Sequence, residues 1–275
     1  MQSIRLTPEN RDLIHVLLES ILNQMICIPA ASFMQGSNRS EIDECIQEWS
    51  DRLIDPNYTR EMFTQWITKE YPPFRVKLKK YSIAKFPVTN GQFEIYVSIT
   101  DARKPDSLKL KKPSDHPVWG LTLSDVTGYI SWLNSITDQT FRLPSEAQWE
   151  YAAKGPRNYK YPFGNVFDPA CCNTIESGIG DTTPVDAYED YCSPFGVCDL
   201  AGNVEEWTSD KYLPYPGGTM VKDDLYHRLG RNYPITRGGS FALGGDLARC
   251  TRRHGPYPSD PFKYLGFRLT ISTLL

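Results

Sequence analysis

Residues 236–269 read TRGGSFALGGDLARCTRRHGPYPSDPFKYLGFRL. The stretch opens on Arg237-Gly238-Gly239-Ser240 and closes on Gly266-Phe267-Arg268. Between those ends Gly, Pro, Arg and aromatic residues are dense, and no apolar period runs through them. An irregular segment of this kind carries function when a rigid scaffold holds both of its ends. What its side chains can do therefore decides between an enzyme and a binding module.

The bulk composition narrows the partners. The 275 residues are enough for one large domain or two small ones. With 40% hydrophobic and 23% charged residues the chain has the make-up of an ordinary globule. Its net charge of −3 gives no basic footprint, so neither nucleic acid nor an anionic membrane is an expected partner. No run of eighteen apolar residues spans a bilayer. The first residues carry acids within their apolar stretch and no small-residue cleavage site, unlike a secretion signal. The seven cysteines are odd in number and irregular in spacing, and are expected to be reduced thiols in a cytoplasmic protein.

Residues 1–24 read as an amphipathic helix. Thr7-Pro8-Glu9 makes its start, and Leu13, Ile14, Leu17, Leu18, Ile21 and Leu22 share a face. Residues 25–29 form a short strand and 32–37 a turn. The acidic stretch 38–72 has helical spacing (Ile42, Cys45, Ile46, Trp49, then Met62, Phe63, Trp66, Ile67), and reads as a helical insertion in a β framework. Residues 74–83 alternate as one strand. Three helices follow, capped at Thr89 or Asn90, at Thr122 or Ser124, and near Pro144-Ser145-Glu146. From Tyr161 onward, loops and short strands are expected. Strand, helices and a long irregular half, with no βαβ alternation and no repeat, make the fold class α+β.

Several ordered motifs then resemble one family. They are Phe33-Met34 with Gly36-Ser37, Pro87-Val88-Thr89-Asn90, Pro117-Val118-Trp119, the run from Arg142 to Ala153, Gly202-Asn203-Val204-Glu205-Glu206-Trp207, Arg237-Gly238-Gly239-Ser240-Phe241 and Gly266-Phe267-Arg268. Together they resemble the formylglycine-generating enzyme (sulfatase-modifying factor) family over about residues 25–271. The resemblance implies a C-type-lectin-like fold with little regular secondary structure. It makes 25–275 one domain, with the insertion at 38–72 and the 1–24 helix outside the family pattern.

The resemblance also implies a copper(I) site built from two cysteines, the third and eighth residues after the RGGS motif. Soft thiolates are what copper(I) needs. Here those positions hold Leu243 and Ala248, and Cys250 alone cannot replace the pair. No copper is expected. The four histidines, His15, His116, His227 and His254, form no helical ligand pair for iron or zinc. Cys171, Cys172, Cys192 and Cys198 lack zinc spacing and read as buried free thiols. Ser240, His254 and Asp246 lack the flanking elbow of a nucleophilic set. Glu146 and Glu150 lie one helical turn apart. They read as packing residues, with Glu146 serving the helix start and Arg142 pairing with an acid. The resemblance implies structural calcium at Asn203, the Val204 carbonyl and Glu206, whose hard oxygens suit that ion. A second family calcium site maps to Asn173 and Ser177.

Without its catalyst the C-terminal segment still has a shape. Arg237, Gly238, Gly239, Ser240, Arg249, Arg253 and Arg268 read as scaffold. Leu243, Gly245, Leu247, Arg252, His254, Tyr257, Phe262 and Tyr264 are the candidates for an exposed ligand-binding surface. Another branch with this fold resembles it further: retroelement-diversified variable proteins, whose binding residues lie in this last segment. Adenine-directed mutation there cannot reach Lys, Gln, Glu, Met or Trp. From Leu243 to Leu265 only Lys263 belongs to that set, against about four or five for average composition. The leading expectation is a non-catalytic module displaying residues 241–265 to a protein or other macromolecule. An oxidoreductase with altered chemistry and a regulatory or scaffolding subunit are the alternatives.

Overall fold

The computed structural model describes residues 7–231, 233–256 and 264–272. Eight helices stand in it: α1 (Pro8–Leu22), α2 (Arg39–Trp49), α3 (Arg60–Thr68), α4 (Asn90–Thr100), α5 (Asp106–Lys109), α6 (Leu123–Ser135), α7 (Glu146–Lys154) and α8 (Asp224–Leu229). Local chemistry sets where they start. Thr7, Asn38, Thr59, Thr89, Thr122, Ser145 and Asp223 each accept a backbone N–H of the first turn. Such a cap contributes about 1 kcal/mol. At α2, α4, α6 and α7 the third helical residue bonds back to the cap, closing a capping box.

The strands are short: β1 (Met25–Ile28), β2 (Ala31–Gln35), β3 (Phe74–Leu78), β4 (Tyr81–Ala84), β5 (Phe141–Arg142), β6 (Glu205–Lys211), β7 (Pro234–Arg237), β8 (Leu265–Gly266) and β9 (Thr270–Ile271). They make a four-stranded sheet ordered β1-β4-β9-β5, a β2-β3 pair, and a three-stranded sheet ordered β7-β6-β8. The stretch 74–83, read as one strand, is two. β3 is half-exposed and pairs with β2, whereas β4 is buried throughout and lies inside the larger sheet. The break at Lys79-Lys80 lets the chain change sheets. Residues 32–35, read as a turn, belong to strand β2, and the turn follows at Gly36.

Helix α1 is part of the main core. Ile14, Leu17 and Ile21 pack in one cluster with Phe93, Val126, Tyr129, Leu133 and Phe267, so this helix is no detached appendage. Leu13, read on the same face, is exposed. The 38–72 insertion does form helices, α2 and α3, and has its own core of Ile42, Cys45, Trp49, Phe63 and Ile67. That core includes Ala248 of the C-terminal segment.

The expectation that every cysteine is a free thiol is corrected at one pair. Cys192 and Cys198 are disulfide-bonded, their Cα atoms 4.2 Å apart at the ends of the Cys192-Ser193-Pro194-Phe195-Gly196-Val197-Cys198 loop. The loop folds back on itself: Gly196 N–H donates to the Ser193 carbonyl, and Ser193 N–H to that of Val197. The other five cysteines are free, with Cys45, Cys172 and Cys250 buried. Burial pushes each of those three thiols up to about 12. Among the described residues no helix is long and apolar enough to cross a membrane.

Candidate functional site

The two ends of the C-terminal segment grip one strand. On β6, Glu206 pairs with Arg237 of β7 on one side and Gly266 of β8 on the other. Arg237 and Gly266 are the two motif ends, so the intervening chain is a loop anchored on both flanks of β6. Gly266 sits where a Cβ would lie 2.7 Å from the Val118 carbonyl oxygen, so no larger residue closes that flank. Gly239, at φ +68°, has the backbone of Leu247 and Ala248 within 3.3 Å of where its Cβ would be.

Four buried arginines fix the loop by ion pairs. Arg237 donates Nη2 to Glu146 at 2.8 Å and to Glu150 at 3.2 Å, and Nη1 to the Cys250 carbonyl at 2.9 Å. Arg253 grips both oxygens of Glu146 at 2.8 and 2.9 Å and stacks over Tyr215, its guanidinium carbon 4.2 Å from the ring centroid. Arg268 grips both oxygens of Glu206 at 2.6 Å, with Trp149 Nε1 donating to the same carboxylate at 2.8 Å. Arg249 binds Glu70, which lies in the insertion. Burial pushes the Glu146 carboxyl up, but the Arg253 and Arg237 guanidinium groups outweigh it and hold the group below the usual range. Glu70 is likewise raised by burial and lowered further by Arg249. The scaffold role read for these arginines therefore holds, and the two carboxylates of α7 are their partners. Arg142, read as pairing with an acid, is exposed and has no ion pair among the described residues. Glu146 sits at the first position of α7 but turns its carboxylate to the arginines. The helix N-terminus takes Asp210 instead, which accepts the Glu146 N–H at 2.7 Å.

Beside this scaffold lies a cavity of about 310 Å³. Its walls come from three places in the sequence. The α2–α3 connection and α3 supply Leu53, Ile54, Tyr58, Met62, Phe63 and Trp66. Helix α8 and its cap supply Asp223, Asp224 and Leu225. The C-terminal segment supplies Leu243, Asp246, Leu247, Arg252 and His254. Lys69, just after α3, closes the wall through an ion pair with Asp223, its ammonium 5.2 Å from the Tyr233 ring centroid. Burial brings Lys69 down to about 8 in spite of Asp223.

The eight residues read as an exposed surface divide. Leu243, Leu247, Arg252 and His254 meet at the cavity. Leu247 and Arg252 are nonetheless buried, which corrects their placement on the surface. Arg252 is held by Asp246 at 3.3 Å and by the Arg253 carbonyl at 2.7 Å. Gly245 is buried as well: a Cβ there would stand 2.4 Å from Phe167 and 2.6 Å from Trp49. Tyr264 is half-buried and packs edge-on against Phe241, ring centroids 5.0 Å apart. Tyr257 and Phe262 lie outside the described residues. The reading missed Tyr58, Trp66, Lys69 and Asp224. A signal was present: α3 carries apolar groups beyond its buried Phe63 and Ile67, and Met62 and Trp66 are the surplus that faces the cavity.

The calcium expectation does not fit these side chains. Glu206 has both oxygens in the grip of Arg268, a cation where calcium would need to be. Asn203 Oδ1 accepts from Thr183 N–H at 3.0 Å, and its Nδ2 donates to Asp199 at 2.8 Å. Val204 is buried, and its side chain packs close to Gly266. At the second position, Ser177 Oγ donates to Asn173 Oδ1 at 3.2 Å. Copper does not fit either, since Leu243 and Ala248 bring no donor atom. The nucleophilic set is not assembled: Ser240 Oγ is buried without a partner, and His254 Nδ1 faces Glu205 at 2.7 Å.

Fold and site together define an α+β, C-type-lectin-like domain of the formylglycine-generating-enzyme type. A family model described as "Sulfatase-modifying factor enzyme 1-like domain" matches residues 18–273, and the chain belongs to that family. Among curated proteins it is 27% identical over 273 residues to serine/threonine-protein kinase pkn1 of Chlamydia caviae, covering 91% of this chain and 38% of that protein. The chain thus spans well under half the length of that relative. Among solved structures it resembles PvdO from Pseudomonas aeruginosa (TM-score 0.68, 23% identity, 90% of this chain and 94% of that one). It also resembles Treponema denticola variable protein 1 (TM-score 0.66, 18% identity, 90% and 95%). Both structures share its fold.

Proposed function

We propose that the chain is a non-catalytic ligand-binding module, and that its ligand seats in the cavity between the insertion, α8 and the C-terminal segment. One observation carries this reading. Leu243 and Leu247 of the segment converge with Arg252, His254 and the insertion on one apolar-walled cavity, while the positions implied for copper thiols hold Leu243 and Ala248. A cavity of about 310 Å³ is at the lower end of the range that takes small ligands, and it also suits one bulky side chain of a macromolecule. Ile54 and Tyr58 are exposed at its edge and extend it toward a larger partner, so a protein or other macromolecule is the favoured ligand.

The test is a binding screen read by thermal shift, on the wild type and on Leu243→Trp, which fills the cavity from a half-buried wall position. Ligands that stabilise the wild type and not the variant support the reading. Stoichiometric copper or iron in the purified protein overturns it in favour of an altered oxidoreductase. Diversification by a retroelement, suggested by the make-up of residues 243–265 and by the fold shared with a variable protein, predicts a near-identical, adenine-rich copy of the 237–268 coding segment beside a reverse transcriptase gene. As for compartment, the Cys192–Cys198 bond favours an oxidising one over the cytoplasm expected from sequence. Titratable thiol in protein isolated without reductant decides that point.

A further inference from the structure

We propose that the ligand of this cavity joins an apolar body to a cationic nitrogen, the body seated among the α3 and segment side chains and the nitrogen held at the mouth by Asp224 and the Tyr58 ring. This rests on the cavity being the binding site and adds the chemistry of what binds there.

The argument is one of charge and exposure. Six ionisable groups other than Tyr58 line the cavity: Lys69, Asp223, Asp224, Asp246, Arg252 and His254. Five are already engaged inside the protein. Lys69 pairs with Asp223, Arg252 with Asp246, and His254 with Glu205. These groups are buried or half-buried, and each already faces an opposite charge within the protein. Asp224 differs. It is exposed, it has no ion pair among the described residues, and it leaves the lining with an uncompensated negative charge.

Asp224 shares the cavity lining with an aromatic surface. Tyr58 and Trp66 meet edge to face, ring centroids 4.8 Å apart, and both line the cavity. Tyr58 is 43% exposed, which places its ring at the mouth rather than in the depth. Its hydroxyl is pushed up by partial burial and then by the charges of Asp55 and Asp224. The Asp55 carboxylate accepts from the neighbouring Asn57 and has no ion pair among the described residues. An aromatic ring and a carboxylate that line one cavity attract a cation through the ring quadrupole and through Coulomb's law together. The interior walls, Phe63, Leu225 and Leu247 among them, offer the rest of the ligand only apolar contact. An anion would meet Asp224 at the mouth and paired charges within.

The test titrates the full chain with three probes, followed by the shift of tryptophan indole N–H signals in NMR. They are 2-phenylethylammonium, its neutral isostere 2-phenylethanol, and acetyl-phenylalanyl-lysine amide. The amine is expected to bind about two- to fivefold tighter than the alcohol at low salt, the range for a surface cation over a ring. Asp224→Asn should erase that preference and leave the alcohol's affinity unchanged; raised salt should weaken the amine alone. Tyr58→Leu is a second, independent variant that should also narrow the gap. Tighter binding of the peptide than of the amine assigns the ligand to a protein with an apolar residue beside a basic one. The reverse order assigns it to a small amine. Equal affinity of amine and alcohol, or a preference that survives Asp224→Asn, overturns the cationic ligand while leaving the cavity as the site. Failure of all three probes to shift any cavity signal overturns both.

Discussion

Arg237 and Arg253 hold the same carboxylate: Nη2 of Arg237 lies 2.8 Å from Glu146 Oε1, and the Arg253 fork spans both Glu146 oxygens. Both arginines sit in the C-terminal segment and Glu146 opens α7, so one buried acid ties the loop to the helix. The pairing predicts an asymmetric response to substitution. Removing one member of a buried ion pair strands the other, at a cost of about 3–5 kcal/mol. Arg237→Met should fall in that range because Glu146 and Glu150 both lose a partner. Arg237→Lys keeps the charge but loses the fork, and should cost roughly 1–3 kcal/mol. Urea unfolding at neutral pH checks both. A variant within experimental error of wild type would mean that the pair contributes nothing to stability.

Asp199 behaves in the opposite sense. It is buried next to Asn203, and burial, resisted by the Asn203 hydrogen bond and by Arg268, raises its carboxyl from 3.8 to about 8. Between those values the folded protein holds a proton that the unfolded chain has released. Stability from this group is therefore full below about pH 4 and is lost as pH rises toward 8. Asp199→Asn supplies the amide in place of the protonated acid, and asparagine tolerates the left-handed backbone here, at φ +57°. The variant should be more stable than wild type at pH 8 by roughly 1–2 kcal/mol and nearly equal to it at pH 4. Melting temperatures across that window test it. An equal slope in wild type and variant would show that Asp199 does not titrate there.

How far the sequence could reach follows from the range of each signal. Helix starts were legible because a cap acts within three residues: Thr89, Thr122 and Ser145 lie at or beside the positions the pattern names. The glycines and arginines of residues 237–268 were legible as scaffold because their motif order matched a family. What those arginines bind was not, since Glu146 and Glu70 lie far away in sequence and any exposed acid would read the same. Gly245, Leu247 and Arg252 were misplaced on the surface for a similar reason. A Gly-rich, Arg-rich stretch looks exposed when read alone, but here it passes under Trp49 and Phe167. The insertion was seen as helices, yet its part in the cavity needs Trp66 and Leu247 in one place, which no local pattern states.

The Cys192–Cys198 bond closes a small ring. The entropy of tethering seven residues gives about 2 kcal/mol. The ring also positions the scaffold, because the Cys198 carbonyl accepts from Arg268 Nη2 at 3.0 Å. Dithiothreitol, or Cys192→Ser, should lower stability by about 2 kcal/mol. The two treatments together should do no more than either alone. Additive effects would place the loss at some other cysteine.

The last prediction separates display from core within the C-terminal segment. Leu243 and His254 are half-buried at the cavity, whereas Gly245, Leu247 and Arg252 are buried. A Cβ at Gly245 has to displace the Phe167 and Trp49 rings, and overpacking of that order costs about 1–3 kcal/mol. Arg252→Ala leaves Asp246 without its guanidinium partner in a buried site, which should cost still more. Leu243→Ser, by contrast, should change stability by well under 1 kcal/mol beyond the apolar area lost, and should act on binding instead. A substitution scan of residues 241–256, read for stability and for ligand binding in parallel, should therefore split into two classes. If Gly245 and Arg252 accept replacement as freely as Leu243, the loop is a display surface after all and the buried course of the segment is wrong. If tolerance follows burial, variation within residues 241–256 works through the few half-exposed positions there, and the insertion that packs on this stretch shares in choosing the ligand.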